Sequence, residues 1–244
     1  MAEWLNTVFG GMDASMFEMM HGLAESGLGG LFTFLFKVFS LLLEKGALAW
    51  LTGLVLLLFK KTRKIGICMI GAIGLGAIVT NLTLKDLVAR PRPYLANETF
   101  RSFWEYVGSK LDEEFSFPSG HTTAAFSGAM GLFLTGHKKW SWVGLPIAVC
   151  VALSRVYLVM HYTSDVLAGM LIGLCAGGIA FGITVLIYKL LDRHQDVKFF
   201  RFVLNFDLIE AIRRKPAPAQ AAEPAAAEAP KDEAEPSEEE RKEP

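Results

Sequence analysis

Long apolar blocks constrain this chain more than any other feature. A helix that crosses a bilayer needs about 20 mostly apolar residues. Six stretches approach that length: 24–43, interrupted by Lys37; the short 46–60; 65–87; 119–136; 141–160; and 163–190. A hydrophobic share of 52% and a mean hydropathy of +0.36 point the same way. The expected architecture is all-α, an integral membrane six-helix bundle. Gly169, Gly173 and Gly177 recur every four residues in the last block, and Gly71, Gly74 and Gly76 thin the third. Small residues of this kind let membrane helices approach closely.

Charge divides the chain further. Residues 216–244 hold nine acidic and three basic residues, a net of −6, and six of the ten prolines. Residues 1–215 are left with 21 basic and 16 acidic, a net of +5. The expected organisation is an amphipathic, interfacial segment over 1–23, a membrane domain over 24–195, a juxtamembrane segment over 196–213 and a disordered acidic tail over 214–244. Such a tail has too little apolar surface to offset its ordering entropy. Cys68, Cys150 and Cys175 all sit in apolar runs, where small buried packers are expected. Residues 1–10 lack the basic start of a cleaved signal peptide, so insertion through the first membrane helix is expected.

Basic residues set the orientation, because cytoplasmic loops are enriched in Lys and Arg. Lys60, Lys61, Arg63 and Lys64 lie between blocks two and three, Lys138 and Lys139 between four and five, and Lys189, Arg193, Lys198 and Arg201 at and beyond the end of block six. Six spans put all three clusters on one side, with both termini cytoplasmic. The opposite side holds a long connection, about 89–117, in which Arg90, Arg92, Arg101 and Lys110 stand among aromatic residues suited to headgroup level.

Three polar clusters fall on that opposite side. Lys85, Arg90 and Arg92 place three cations within eight positions, an anion site stiffened by Pro91 and Pro93. Ser119 is an expected N-cap, and Gly120 lets a ligand approach a helix N-terminus, which suits a phosphate. His121 follows in the first turn. In the third cluster, His161 and Asp165 are four apart and share a helical face. A carboxylate on one ring nitrogen leaves the other free to attack. Arg155 reaches the same site only if the helix breaks near Val159–Tyr162. An anion clamp, a phosphate cradle, an oriented His and a second His are the parts of phosphoryl transfer through a phosphohistidine.

At these residues the chain resembles the type 2 phosphatidic acid phosphatase family of membrane lipid phosphatases. That family carries K-x6-R-P, P-S-G-H and S-R-x5-H-x3-D. Here they stand as Lys85…Arg92-Pro93, Pro118-Ser119-Gly120-His121 and Ser154-Arg155…His161…Asp165. The resemblance implies His161 as nucleophile, Asp165 as its orienting partner and His121 as general acid. It implies Lys85, Arg92, Arg155, Ser119 and the Gly120 N–H as phosphoryl ligands. No metal and no cofactor are implied. Arg90 falls outside the motif, and a second phosphate or a headgroup is the contact expected for it.

The resemblance further implies extracytoplasmic catalytic loops in a multi-pass plasma-membrane hydrolase. The first expected substrate is undecaprenyl pyrophosphate, cut to undecaprenyl phosphate for cell-wall synthesis. Phosphatidylglycerophosphate or phosphatidate is the second. A non-catalytic lipid-phosphate binder or transporter is the alternative of another class. The expected partners are the lipid phosphate and the bilayer, with no nucleic acid, and the oligomeric state stays open. A neutral nucleophilic His and a protonated acidic His together imply a bell-shaped pH–rate profile.

Overall fold

The computed structural model describes residues 1–42 and 46–213, so the expected acidic tail lies outside the described residues. The chain runs as α1 (Ala2–Glu25), α2 (Gly29–Leu42), α3 (Ala47–Leu57), α4 (Arg63–Val79), α5 (Lys85–Val88), α6 (Pro93–Ala96), α7 (Glu98–Val107), α8 (Gly120–Thr135), α9 (Lys138–Ser141), α10 (Gly144–Tyr157), α11 (Thr163–Arg193), α12 (Lys198–Asn205) and α13 (Leu208–Arg213). A π-helical stretch, Thr80–Leu84, joins α4 to α5.

Three helical stretches are long and apolar enough to cross a membrane: Arg63–Ala96, Lys138–Tyr157 and Thr163–Arg193. The bent pair α1–α2 makes a fourth if it counts as one span. The first apolar block therefore does not form one helix over 24–43. α1 ends at Glu25, and the axis turns by 117° before α2. The cause is local. The Gly29 N–H donates to the Ser26 carbonyl at 2.8 Å, and a Cβ on Gly29 would lie 1.7 Å from the Ala24 carbonyl oxygen. Only glycine fits that turn.

The bundle is organised around α8, which packs against α4, α10 and α11. The glycines of α11 allow it. A Cβ on Gly169 would sit 2.7 Å from the Ser119 carbonyl oxygen, and one on Gly173 2.7 Å from that of Thr123. α1 packs on α2, α7, α10 and α11 and buries Leu5, Asp13, Phe17, Met20 and Ala24 along one stripe. Phe17 meets Phe100 of α7 at 4.6 Å, and His21 stacks on Phe103 at 3.9 Å. The aromatics of the long connection thus lie partly on α1. Of the cysteines only Cys68 is buried; Cys150 is half-buried and Cys175 exposed, so the expectation of three buried packers fails at the outward face of α11.

The ends of α5 and α10 and the starts of α8 and α11 gather at one end of the bundle. The basic clusters occupy the other. There Arg63 donates to the carbonyls of Leu57, Val203 and Phe206, and the Lys60 N–H to Asp207 at 2.9 Å.

Candidate active site

α4 does not end as a regular helix. The π-helical stretch shifts its register and turns Lys85 into a cavity. Insertions of this kind recur at functional sites. α5 then stops at Ala89 in the left-handed region (φ 49°), and Pro91 and Pro93 prevent any continuation. Arg92 is locked by its surroundings. Its Nε donates to the Glu114 carbonyl at 2.8 Å, and Nη1 to the Met160 carbonyl at 2.8 Å. Nη2 pairs with the Asp112 carboxylate at 2.6 Å, and Lys85 Nζ pairs with the Glu114 carboxylate. Carboxylates of the 109–116 loop therefore cover both cations.

Ser119 caps α8, its Oγ accepting from the Thr122 N–H at 3.4 Å and from Thr122 Oγ1 at 3.0 Å. It is fully buried, and its own N–H donates to the Asp165 carbonyl. Its side chain thus sets the first turn of α8. Gly120 does face the cavity, close to Asn81; a Cβ there would lie 3.0 Å from Asn81 Oδ1.

The break between α10 and α11 falls where the spacing requires it. Val159 adopts φ 55°, a strained choice for a β-branched residue, and the N–H groups of Met160 and His161 both return to the Arg155 carbonyl. His161 Nδ1 donates to the Ser116 carbonyl at 2.7 Å, and Nε2 accepts from Arg92 Nη1 at 3.0 Å. The Nδ1 hydrogen bond fixes the tautomer, and the Nε2 lone pair at the cavity wall is engaged by Arg92. Burial, then Arg92, Arg155 and Lys85, push the imidazole well below its usual range, so it is neutral at pH 7.

Asp165 does not bond the ring directly. Its Oδ2 stands 3.8 Å from His161 Nδ1. It acts one step back: Ser116 Oγ donates to Oδ2 at 2.5 Å, and the Tyr162 N–H to the same oxygen at 3.0 Å. His161 lies in the break before α11, so the two do not share a helical face, and Ser116 links them instead.

Arg90 is 1% exposed, and protein groups take its donors. Its guanidinium donates to Asp165 (2.6 Å), Asp13 (3.0 Å), Ser164 (2.8 Å) and Asn6 (2.9 Å), and lies 3.7 Å from the Tyr162 ring centroid. Asp13 of α1 also accepts from the Ser164 N–H at 2.8 Å and from Ser164 Oγ at 2.7 Å. Sequence reasoning missed Asp13, Ser116 and the carboxylates at 112 and 114. Asp13 had a signal: it occupies a position on the apolar stripe of α1, where a charge needs a partner.

Two cavities result. One, about 400 Å³, is lined by Lys85, Arg92, Gly120, His121 and His161, with Trp50, Ile73 and Ala77 toward the bundle interior. The other, about 600 Å³, is lined by Arg155. His121, Asp112 and Glu113 border both. The structure thus brings Lys85, Arg92, Gly120, His121 and His161 together, and places Arg155 across His121, where Nη1 donates to Ser40 Oγ at 2.6 Å. Among the described residues no group of three or more His, Cys, Asp or Glu is placed to hold a metal ion.

Known proteins resemble this chain. Residues 65–189 match the PAP2 superfamily. An undecaprenyl-diphosphatase of Sulfolobus acidocaldarius is 34% identical over 166 residues, covering 67% of this chain and 74% of the relative. The undecaprenyl-diphosphatase BcrC of Bacillus subtilis is 24% identical over 196 residues, 80% of this chain and 94% of the relative. The crystal structure of Aquifex aeolicus LpxE is similar with a TM-score of 0.57 at 26% identity, over 69% of this chain and 94% of that one. That of a Bacillus subtilis phosphatidylglycerolphosphate phosphatase gives 0.56 at 27%, over 76% and 91%. With half its length matched by the family and with over nine-tenths of two solved structures covered, this chain belongs to the PAP2 superfamily and is a multi-pass membrane lipid phosphatase.

Proposed function

We propose that the chain removes the terminal phosphoryl group of a lipid diphosphate, undecaprenyl diphosphate first, through a phosphohistidine at His161. The observation that carries this is the His161 ring, held at Nδ1 by the Ser116 carbonyl with Nε2 beside Lys85, Arg92 and His121. The incoming phosphoryl oxygens take the places of the Asp112 and Glu114 carboxylates on Arg92 and Lys85. Arg92 Nη1 turns from Nε2 to the substrate, which frees the lone pair. Nε2 attacks phosphorus, and His121 protonates the departing oxygen. Water then cleaves the P–N bond, its proton passing to His121. Lys85, Arg92, Arg155 and the Gly120 N–H stabilise the charge spread over the phosphoryl oxygens. Ser119 holds the turn that presents Gly120, and Asp165 holds Ser116.

The choice of a diphosphate rests on the two undecaprenyl-diphosphatases among the relatives. A second reading, a phosphatidylglycerophosphate or phosphatidate phosphatase, is favoured by the likeness to the Bacillus subtilis phosphatidylglycerolphosphate phosphatase. The same reading places six spans across the membrane, with α3 and α8 as short spans inside the bundle. The site then faces outward and both termini face the cytoplasm.

The test is phosphate release by purified protein in detergent with EDTA. Undecaprenyl diphosphate, phosphatidylglycerophosphate and phosphatidate are offered in parallel, with His161→Ala as blank. Preferred release from the diphosphate, absent in the variant, is expected. Preferred release from either monoester moves the assignment to the second reading, and release by the variant removes the phosphohistidine.

A further inference from the structure

α11 takes part of its cap from another helix. The residue at its N-cap is Tyr162, whereas short polar side chains ordinarily satisfy the first free N–H groups. Asp13 of α1 does this from across the bundle. Its Oδ1 accepts from the Ser164 N–H at 2.8 Å, and its Oδ2 from Ser164 Oγ at 2.7 Å. A buried carboxylate at a helix N-terminus is favoured by the helix dipole. The same Oδ2 accepts from Arg90 Nη2 at 3.0 Å. Asn6, seven residues earlier on the same face of α1, accepts from Arg90 Nε at 2.9 Å.

Arg90 lies between Asp13 and Asp165, whose Oδ1 accepts from Nη1 at 2.6 Å. Two lines run on from Arg90 to the His161 ring, and both pass through Ser116. Asp165 Oδ2 accepts from Ser116 Oγ, and the Arg90 carbonyl accepts from the Ser116 N–H at 2.8 Å. The Ser116 carbonyl then accepts from His161 Nδ1 at 2.7 Å.

We propose that Asp13 is a positioning residue for phosphoryl transfer, which makes α1 part of the active-site machinery. The inference rests on the phosphohistidine reading above. Asp13 acts from behind the site, not on the phosphate. It fixes the first turn of α11 and the plane of the Arg90 guanidinium. These hold Asp165 and Ser116, which in turn aim His161. A ring that bonds phosphorus through Nε2 keeps its Nδ1 proton, so the Ser116 carbonyl must stay in line throughout. A misplacement of about 1 Å transmitted from a distance can cost about a hundredfold in rate. The family match begins at residue 65, so this role falls to a part of the chain outside it.

The test is a single-turnover rate constant, with purified full chain in excess over the lipid. Undecaprenyl diphosphate is used first, then phosphatidylglycerophosphate and phosphatidate. Such a constant does not depend on the fraction of protein that is folded, so it separates positioning from stability. Asp13→Ala should lower it about 10- to 100-fold. Asp13→Asn keeps an oxygen for the Ser164 N–H and should lose about three- to tenfold, which carries the test if the alanine variant does not fold. Met20→Ala removes a buried side chain of the same helix that is not bonded to Arg90. It should lower the thermal midpoint and leave the rate constant within about twofold. If Asp13 acts through Asp165, the two losses are not additive, and Asp13→Ala should cost less than about threefold in an Asp165→Asn chain. An unchanged constant in both Asp13 variants, an equal loss in Met20→Ala, or full additivity with Asp165→Asn overturns the positioning role and leaves the phosphatase reading standing. Turnover of none of the lipids by the wild type, or undiminished turnover by His161→Ala, brings down the phosphohistidine reading and this role with it.

Discussion

As the proposed nucleophile, His161 needs its imidazole neutral and its Nε2 lone pair aimed. Burial, followed by Arg92, Arg155 and Lys85, disfavours the imidazolium, so protonation begins well below the usual range. The acid limb of kcat/KM should therefore lie on the acid side of that of an ordinary imidazole. As pH drops through the depressed value, His161 gains a proton and stops attacking. Arg92→Gln removes the cation hydrogen-bonded to the ring, which should shift the limb upward while lowering its plateau. Comparing the two enzymes on one substrate cancels the titration of the substrate itself. A limb that stays put in the variant would mean that another group sets it. The residues proposed to touch phosphate were legible because chemistry fixes their types and spacing. The groups behind them were not. Asp13 is separated from Arg90 by 77 positions and from Ser164 by 151, and no local period reveals such pairs. Its ion pair is almost fully buried, with side chains 1% and 2% exposed. Removing one partner of such a pair costs about 3–5 kcal/mol, so Asp13→Ala should lower the thermal midpoint in detergent strongly. Asp13→Asn, which keeps shape and acceptor, should recover part of that loss.

Helices, unlike buried pairs, announce themselves through period and glycine. The four-residue glycine repeat of α11 marked a close approach, and the structure shows what it meets: the carbonyls of Ser119 and Thr123 on α8. These are the residues that open the phosphate cradle, so packing and site share one seam. Gly173→Val would drive a Cβ to 2.7 Å from a backbone oxygen that cannot yield. The expected result is loss of folded protein or of activity on every substrate. Gly178, one position beyond the stripe, has nothing within 4 Å of its Cβ position. Gly178→Ala should be neutral or stabilising by about 0.5–1 kcal/mol, since alanine restricts the unfolded chain more. Thermal melts of the two variants side by side check both. Where element reasoning failed, the reason is equally local. The apolar block 24–43 hid a turn at Ser26–Gly29 because hydropathy averages over its window, whereas the turn depends on Gly29 alone. The π-helical stretch at Thr80–Leu84 left no mark, since its cause is the fit around Lys85 rather than any residue preference.

At the scale of the whole molecule, one end of the bundle is built for phosphate and the other for contact with the chain's own C-terminal segment. α12 and α13 fold back on the start of α4. The Leu208 N–H donates to the Leu58 carbonyl at 3.0 Å, and Arg63 holds the carbonyls of Val203 and Phe206. Residue 213 is therefore fixed on the side of Lys60–Lys64, away from His161. In the proposed orientation, this is the cytoplasmic face. The argument has an independent check in single reporter cysteines. Leu111 is 64% exposed on the loop over the site, and Lys138 lies exposed between α8 and α10 at the far end. Leu111→Cys and Lys138→Cys are each made in a chain whose three native cysteines are replaced by Ala or Ser, and treated in intact cells with a membrane-impermeant maleimide. The cysteine at 111 should react from outside and the one at 138 only after permeabilisation. The reverse pattern would put the phosphate site in the cytoplasm, and the substrate would then have to be drawn from the inner leaflet. Reaction of both from outside would remove the single crossing, by α8, that separates 111 from 138. Labelling at 111 alone therefore fixes the leaflet, and the pair together tests whether α8 crosses, on which the six-span arrangement depends.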